Sequence, residues 1–173
     1  MSSFSQIAQI TDVLCISSEG AINRANLLRA GVTNIINCTV GGRDVKVPGI
    51  VRCTRIKIDD SPDAPLSKHF DKVADDIDSI GSAGGKVLVH CVAGISRSST
   101  LCIAYLMKHK KMTLIEAHGL VKKKRPIIRP NMGFWQQLIK YEKDLFGSNT
   151  VNMVSSPIGY IPDIYKEQTK NMI

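Results

Sequence analysis

The stretch that most constrains this chain is His90-Cys91-Val92-Ala93-Gly94-Ile95-Ser96-Arg97-Ser98, set between KVLVH at 86–90 and SSTLCIAYLMKH at 98–109. The first flanking run has the length and branched content of a short buried strand, and the second reads as an apolar helix wrapped by core. A loop joining a strand to a helix N-terminus turns several backbone N–H groups toward one point, where the helix dipole adds partial positive charge. A phosphate fits such a cradle. Gly94 allows a backbone turn that a side chain would obstruct. Arg97, six residues after the cysteine, can fold back and offer two parallel guanidinium N–H bonds to phosphate oxygens. Cys91 then sits at the base of an electropositive bowl, where its thiol pKa should be depressed. A thiolate held there is a nucleophile aimed at phosphorus. Five fixed positions (His, Cys, Gly, Arg, Ser) would match somewhere in a chain of this length with odds of ~10⁻⁴ or less. The plainer alternative is a buried structural cysteine with an unrelated arginine nearby.

The surrounding pattern alternates between strand and helix. Extended segments are predicted over 7–17, 32–38 and 51–58, with a turn at Gly41–Gly42 and a polar, proline-bearing loop, DDSPDAP, at 59–65. Helical spacing runs over 22–30, ending at Gly31, and through Leu66, Phe70, Val73, Ala74, Ile77 and Ile80. Thr113 and Glu116 form a capping-box pattern for a helix to Lys124, and Asn131 can cap a last helix closed by Gly147. Residues 148–173, with Pro157 and Pro162, read as an extended tail. Interleaved strands and helices indicate one α/β layered domain.

Composition narrows the class. With 173 residues the chain has room for one domain with a real core. Five widely spaced cysteines, without CxxC or a Cys/His cluster, disfavour zinc and a disulfide framework. No stretch has the apolar length of a transmembrane helix and the first residues do not resemble a secretory signal, so cytoplasm or nucleus is the default expectation. A net charge of +8 suits nucleic acid, anionic membrane or phosphorylated substrates, or simply a soluble surface.

The 90–98 segment resembles the HCxxGxxRS signature of the protein tyrosine phosphatase superfamily. HCVAGISRSSTLCIAYLM is similar to the small, atypical dual-specificity phosphatases. The resemblance covers about residues 5–165; RPIIRPNMGFW and VSSPIGYIPDIY are similar to the subgroup with a C-terminal extension. It implies a three-layer phosphatase-like α/β domain with a central mixed sheet of about five strands flanked by helices. The catalytic domain would span 5–147, and 148–173 would be an extension packed on it or partly flexible.

The family mechanism needs a general acid on a loop before the nucleophile. Aligning IKIDDSPDAPLSKHF with the family places it at Asp60, ahead of Asp59 and Asp63; the alternative that these carboxylates only cap the next helix suits Asp63 best. By the same resemblance Cys91 forms a phosphocysteine, and Arg97 with the N–H groups of Val92, Ala93, Gly94, Ile95, Ser96 and Arg97 holds the phosphoryl oxygens. Ser98 stabilises the departing thiolate, and His90 orders the loop. No metal or other cofactor is required.

Arg125 and Arg129 are candidate substrate contacts or plain surface arginines, and Asn131 is a helix cap that the family places near the site. Lys122–Lys124 with Arg125 is a nuclear-localisation pattern or, more simply, a solvated helix end. Cys38 could form a protective disulfide with Cys91 or be buried as a small hydrophobe. Phosphorylated proteins are the implied partners, with MAP kinases as family-level candidates and no nucleic acid. The short chain leaves little room for the insertions that build a deep pocket, and the family resemblance then implies a shallow site accepting phosphotyrosine and phosphoserine/phosphothreonine. Two alternatives stay open: a catalytically weak phosphoprotein-binding scaffold, and an enzyme acting on a non-protein phosphate. The lipid-directed relatives carry lysines inside the loop, and this loop has none.

Overall fold

In the computed structural model, which describes residues 3–41, 44, 46–50 and 52–172, one sheet organises the chain. It comprises β1 (Ala8–Gln9), β2 (Leu14–Ser18), β3 (Asn34–Asn37), β4 (Arg52–Arg55) and β5 (Val87–Cys91), in the order β1-β2-β5-β3-β4. β5 is central and pairs in parallel with β2 and β3; β4 extends the parallel set, and β1 adds antiparallel to β2. A strand covered on both faces has no polar side to show, which is why VLVHC is buried throughout.

Alternate residues of the strands face two different cores. Leu14, Ile16, Ile36, Val87 and Val89 join the larger cluster, with α2 (Phe70–Ser82), α3 (Arg97–Lys110), α4 (Leu114–Lys124) and α5 (Met132–Phe146). Cys15, Ile35 and Leu88 join the smaller one, closed by Leu27 of α1 (Arg24–Ala30) and Val32. This is the expected three-layer arrangement: a mixed five-stranded sheet flanked by helices.

Helix ends follow the cap residues. Asn23 accepts from Asn26 N–H, and Gly31 closes α1 in the left-handed region (φ 72°). Thr113 and Glu116 complete their capping box, Asn131 accepts from Phe134 N–H, and Gly147 (φ 76°) ends α5.

Three expectations change. The extended run 7–17 is broken into β1 and β2, because Thr11 Oγ1 accepts from Val13 N–H and Ile10 N–H reaches Leu14 O, which reverses the chain. A 3₁₀ turn, Leu66–His69, precedes α2. The tail is folded into a hairpin, β6 (Met153–Ser156) with β7 (Gly159–Pro162), then a 3₁₀ turn and the short α6 (Lys166–Thr169). Of the turn expected at Gly41–Gly42, Gly42 lies outside the described residues, as does Val51 of the 51–58 segment.

The tail is held by burial and by one carboxylate. Val151, Ile161 and Tyr165 belong to the larger core. Glu142, 1% exposed, accepts from Leu114 N–H at the start of α4 and from Thr150 N–H and Oγ1–H in the tail, each at 2.7 Å. A carboxylate receiving several N–H and O–H groups offsets its own desolvation.

His118 of α4 is buried between Trp135 and Tyr165, with ring centroids 4.9 and 6.4 Å away. Burial, with Lys122 adding to it, lowers its pKa from 6.5 to about 4. The unfolded chain therefore takes up this proton near pH 6.5 and the folded one only near 4, so the stability involved is full above 6.5 and declines as pH falls toward 4. Melting temperature followed by circular dichroism across that interval should drop with acidification, and His118→Phe should flatten the slope; an unchanged slope would refute the assignment.

Candidate active site

The chemistry-bearing loop leaves the carboxyl end of β5, flanked by the ends of β2 and β3, and enters α3 at Arg97. Cys91 is the last residue of β5 and is 2% exposed. Gly94 N–H donates to Cys91 Sγ at 3.2 Å, and the Ser98 hydroxyl lies 3.2 Å from the same sulfur. Gly94 is left-handed (φ 68°), and a Cβ there would fall 2.6 Å from the carbonyl atoms of Ser17 in β2. No other residue type meets both demands.

The loop's carbonyls are all bonded away from this point. Val92 O accepts from Glu19 N–H, Ile95 O from Arg129 N–H and Ser99 Oγ, and Ser96 O from Thr100 N–H and Oγ1 and from Ser99 Oγ. Arg125 takes the two between them: Nε donates to Gly94 O at 2.8 Å and a terminal nitrogen to Ala93 O at 3.0 Å. With five consecutive carbonyls anchored outward, the main-chain N–H groups are the polar groups left to line the bowl, at the positive end of α3. Arg97 completes it. One terminal nitrogen donates to Cys38 O (3.2 Å) and Ile58 O (3.0 Å), while its Nε is buried without a hydrogen-bond partner. A buried donor without an acceptor is unusual, and this one is available to a ligand acceptor in the bowl.

His90 is 2% exposed, with Nδ1 3.3 Å from Cys91 O. Its pKa is lowered, chiefly by burial, so the ring is neutral at neutral pH. Asp60 is exposed on the loop after β4, and Asn131 Nδ2 donates to its Oδ1 at 2.9 Å. Asn131 also caps α5, and its N–H donates to Ser96 Oγ at 2.9 Å, so one residue joins the acidic loop to the phosphate loop. Asp59 is exposed beside it. Asp63 donates its N–H to Ser61 Oγ and does not cap the next helix, whose N-cap is Pro65.

The two arginines differ from expectation. Arg125 is 2% exposed and lies under the loop; it anchors carbonyls and has no surface with which to touch a substrate. Arg129 is exposed, but its guanidinium stacks 4.2 Å from the Tyr165 ring centroid and reaches Gln168 Oε1 at 3.4 Å. The tail therefore holds it. Cys38 is fully buried, and desolvation, with the neighbouring Cys91, pushes its thiol pKa up against the pull of Arg97. Its part in the site is its carbonyl. Sequence reasoning had no way to nominate Cys38 O or Ile58 O, which act through main chain, nor the hydroxyl of Ser96. For Arg125 a signal existed: it ends a helix just before Pro126 and the apolar Ile127–Ile128 pair, where chain tends to turn inward.

Among the described residues no group of three or more His, Cys, Asp or Glu is placed to hold a metal ion, and no helix is long and apolar enough to cross a membrane.

Comparison with known proteins gives a consistent picture. The family model for the dual specificity phosphatase catalytic domain matches residues 14–144. Dual specificity protein phosphatase 18 of Rattus norvegicus is 48% identical over 172 residues, covering 99% of this chain and 84% of that protein. Dual specificity protein phosphatase 14 of Homo sapiens is 45% identical over 168 residues, covering 96% and 84%. Among solved structures, human DUSP28 superposes with a TM-score of 0.76 at 35% identity, covering 80% of this chain and 94% of that one. A mouse putative dual specificity phosphatase complexed with zinc tungstate gives 0.78 at 35% identity, covering 83% and 90%.

The anchoring role of Arg125 is open to measurement. Arg125→Met leaves the buried Gly94 carbonyl without this donor, at a cost of about 1–3 kcal/mol, and the part-buried Ala93 carbonyl without its own. The melting temperature should fall, and orthovanadate binding, measured by calorimetry, should weaken roughly tenfold for each ~1.4 kcal/mol lost from loop order. A variant with native stability and native vanadate affinity would show that the carbonyls do not need this residue.

Proposed function

The chain belongs to the dual-specificity protein phosphatases, and from that membership we propose that it hydrolyses phosphotyrosine and phosphoserine/phosphothreonine in proteins through a phosphocysteine on Cys91. The observation that carries the mechanism is the sulfur itself, 3.2 Å from both Gly94 N–H and the Ser98 hydroxyl, below an arginine with a buried free Nε.

In the first step the Cys91 thiolate attacks phosphorus as the bond to the ester oxygen breaks. Asp60, protonated, delivers its proton to the departing oxygen. The backbone N–H groups of 92–97 and the Arg97 guanidinium hold the non-bridging oxygens, where charge builds in the transition state. In the second step Asp60, now a carboxylate, removes a proton from water as it attacks phosphorus. The S–P bond breaks, the Ser98 hydroxyl supports the returning thiolate, and inorganic phosphate leaves. Neutral, buried His90 keeps Cys91's carbonyl and the start of the loop in place.

The tungstate in the mouse relative, a tetrahedral oxyanion, supports a site built for such a shape. The +8 charge favours encounter with acidic, phosphorylated partners. Phosphoproteins of the MAP-kinase pathways, met in cytoplasm or nucleus, are the substrates we propose to look for first, by trapping with Cys91→Ser combined with Asp60→Ala.

Steady-state hydrolysis of an aryl phosphate should be indifferent to chelators and absent in Cys91→Ser. Ser98→Ala should slow the second step, so that intact-protein mass spectrometry during turnover finds one added phosphoryl group on the protein. Phosphotyrosine and phosphothreonine peptides should both be dephosphorylated. Undiminished turnover in Cys91→Ser would end the phosphocysteine mechanism. Binding of phosphopeptides without hydrolysis would leave the scaffold reading in its place.

A further inference from the structure

We propose that α5 is a seat that presets the acidic loop, with Gly133 and Gln137 as its positioning residues; this rests on Asp60 being the general acid. The segment between β4 and the 3₁₀ turn at Leu66 forms no strand or helix of its own, and its internal support is two turn bonds to Ser61, from Ala64 N–H to its O at 3.0 Å and from Asp63 N–H to its Oγ at 3.3 Å. From Asp60 onward it is fastened along one helix. Asn131 Nδ2 holds Asp60 Oδ1 at 2.9 Å. Pro62 lies directly on Gly133, which is buried; a Cβ there would stand 1.9 Å from Pro62 O and 2.5 Å from its Cα. Four residues on, and so on the same helix face, Gln137 closes the far end: Nε2 donates to Ala64 O at 2.9 Å, and Oε1 accepts from Ser67 N–H at 2.8 Å.

The arrangement has a chemical consequence. The residue that starts α5 also donates its N–H to Ser96 Oγ in the phosphate loop, so nucleophile loop and acid loop are measured from one helix end. Asp60 reaches its place without a closing motion of the loop, because backbone contact at Gly133 and the paired bonds of Gln137 already hold the chain there. No side chain other than glycine's hydrogen permits that contact, and the glutamine amide both donates and accepts at that reach.

A positioning role for the acid has a signature that a merely structural role lacks. 4-Nitrophenolate departs without a proton, whereas unsubstituted phenolate and a serine alkoxide need one. A misplaced acid should therefore penalise poor leaving groups selectively, and displacements near 1 Å can cost ~10²-fold. Gln137 is partly exposed, so Gln137→Met should fold, and its melting temperature verifies this. We expect kcat/KM for phenyl phosphate and a phosphoserine peptide to fall about 10- to 100-fold, with 4-nitrophenyl phosphate little changed and the basic limb of the pH profile blunted. Gly133→Ala should do the same more severely if it folds.

Asp60→Asn, measured beside them, separates the two ideas. Should Asp60→Asn show no dependence on leaving group, the acid is another residue. Should Asp60→Asn show the dependence while folded Gln137→Met does not, or should Gln137→Met lose all substrates equally, the seat is refuted.

Discussion

Five consecutive carbonyl groups, those of residues 92–96, must find partners outside their own loop before that loop can present N–H groups to anything. Much of the architecture can be understood as the supply of those partners. The residue after β2 provides Glu19 N–H, and the first turn of α3 provides Ser99 and Thr100. The connection between α4 and α5 provides Arg125 from below and Arg129 N–H from the side. The site is therefore a property of two distant segments and the adjoining helix start, converging at the carboxyl end of the sheet's parallel strands.

This also explains what could be read in advance. Elements whose cause is local were legible: the buried run at 87–91, the Thr113–Glu116 box, the Asn131 cap and the closing Gly147. The motif from His90 to Ser98 was legible because a strand, a turn glycine and a helix start lie next to one another. What escaped depends on partners far apart in the chain. Arg125 and Gly94 are separated by 31 positions and Asn131 and Asp60 by 71, and no periodicity encodes such pairs. A buried arginine anchoring carbonyls and an exposed one awaiting a phosphate look alike on paper. The hairpin of the tail was not legible for a related reason: its alternation is weak, and it is held because Tyr165 meets Trp135 and Thr150 meets Glu142.

The C-terminal segment is coupled to the site by contact as well as by proximity in the family pattern. Tyr165 accepts from Trp135 Nε1 at 3.2 Å and lies beneath the Arg129 guanidinium, while Arg129's own N–H holds Ile95 O. Two steps of contact thus separate the tail from the phosphate loop. Glu142 adds a second link, since one carboxylate satisfies the first N–H of α4 and the first residues of the tail together.

Arg97 is aimed by the carbonyls of Cys38 and Ile58, and a carbonyl belongs to the backbone, whatever side chain it carries. A carboxylate partner would have fixed the arginine equally well, but it would have cancelled its charge and could be deleted by one substitution. Aimed this way, the guanidinium keeps its full positive charge for the phosphate ester of the proposed reaction. The two residues that steer it are free to drift among any side chains the core accepts, so the reach of the clamp survives changes that would dismantle an ion pair.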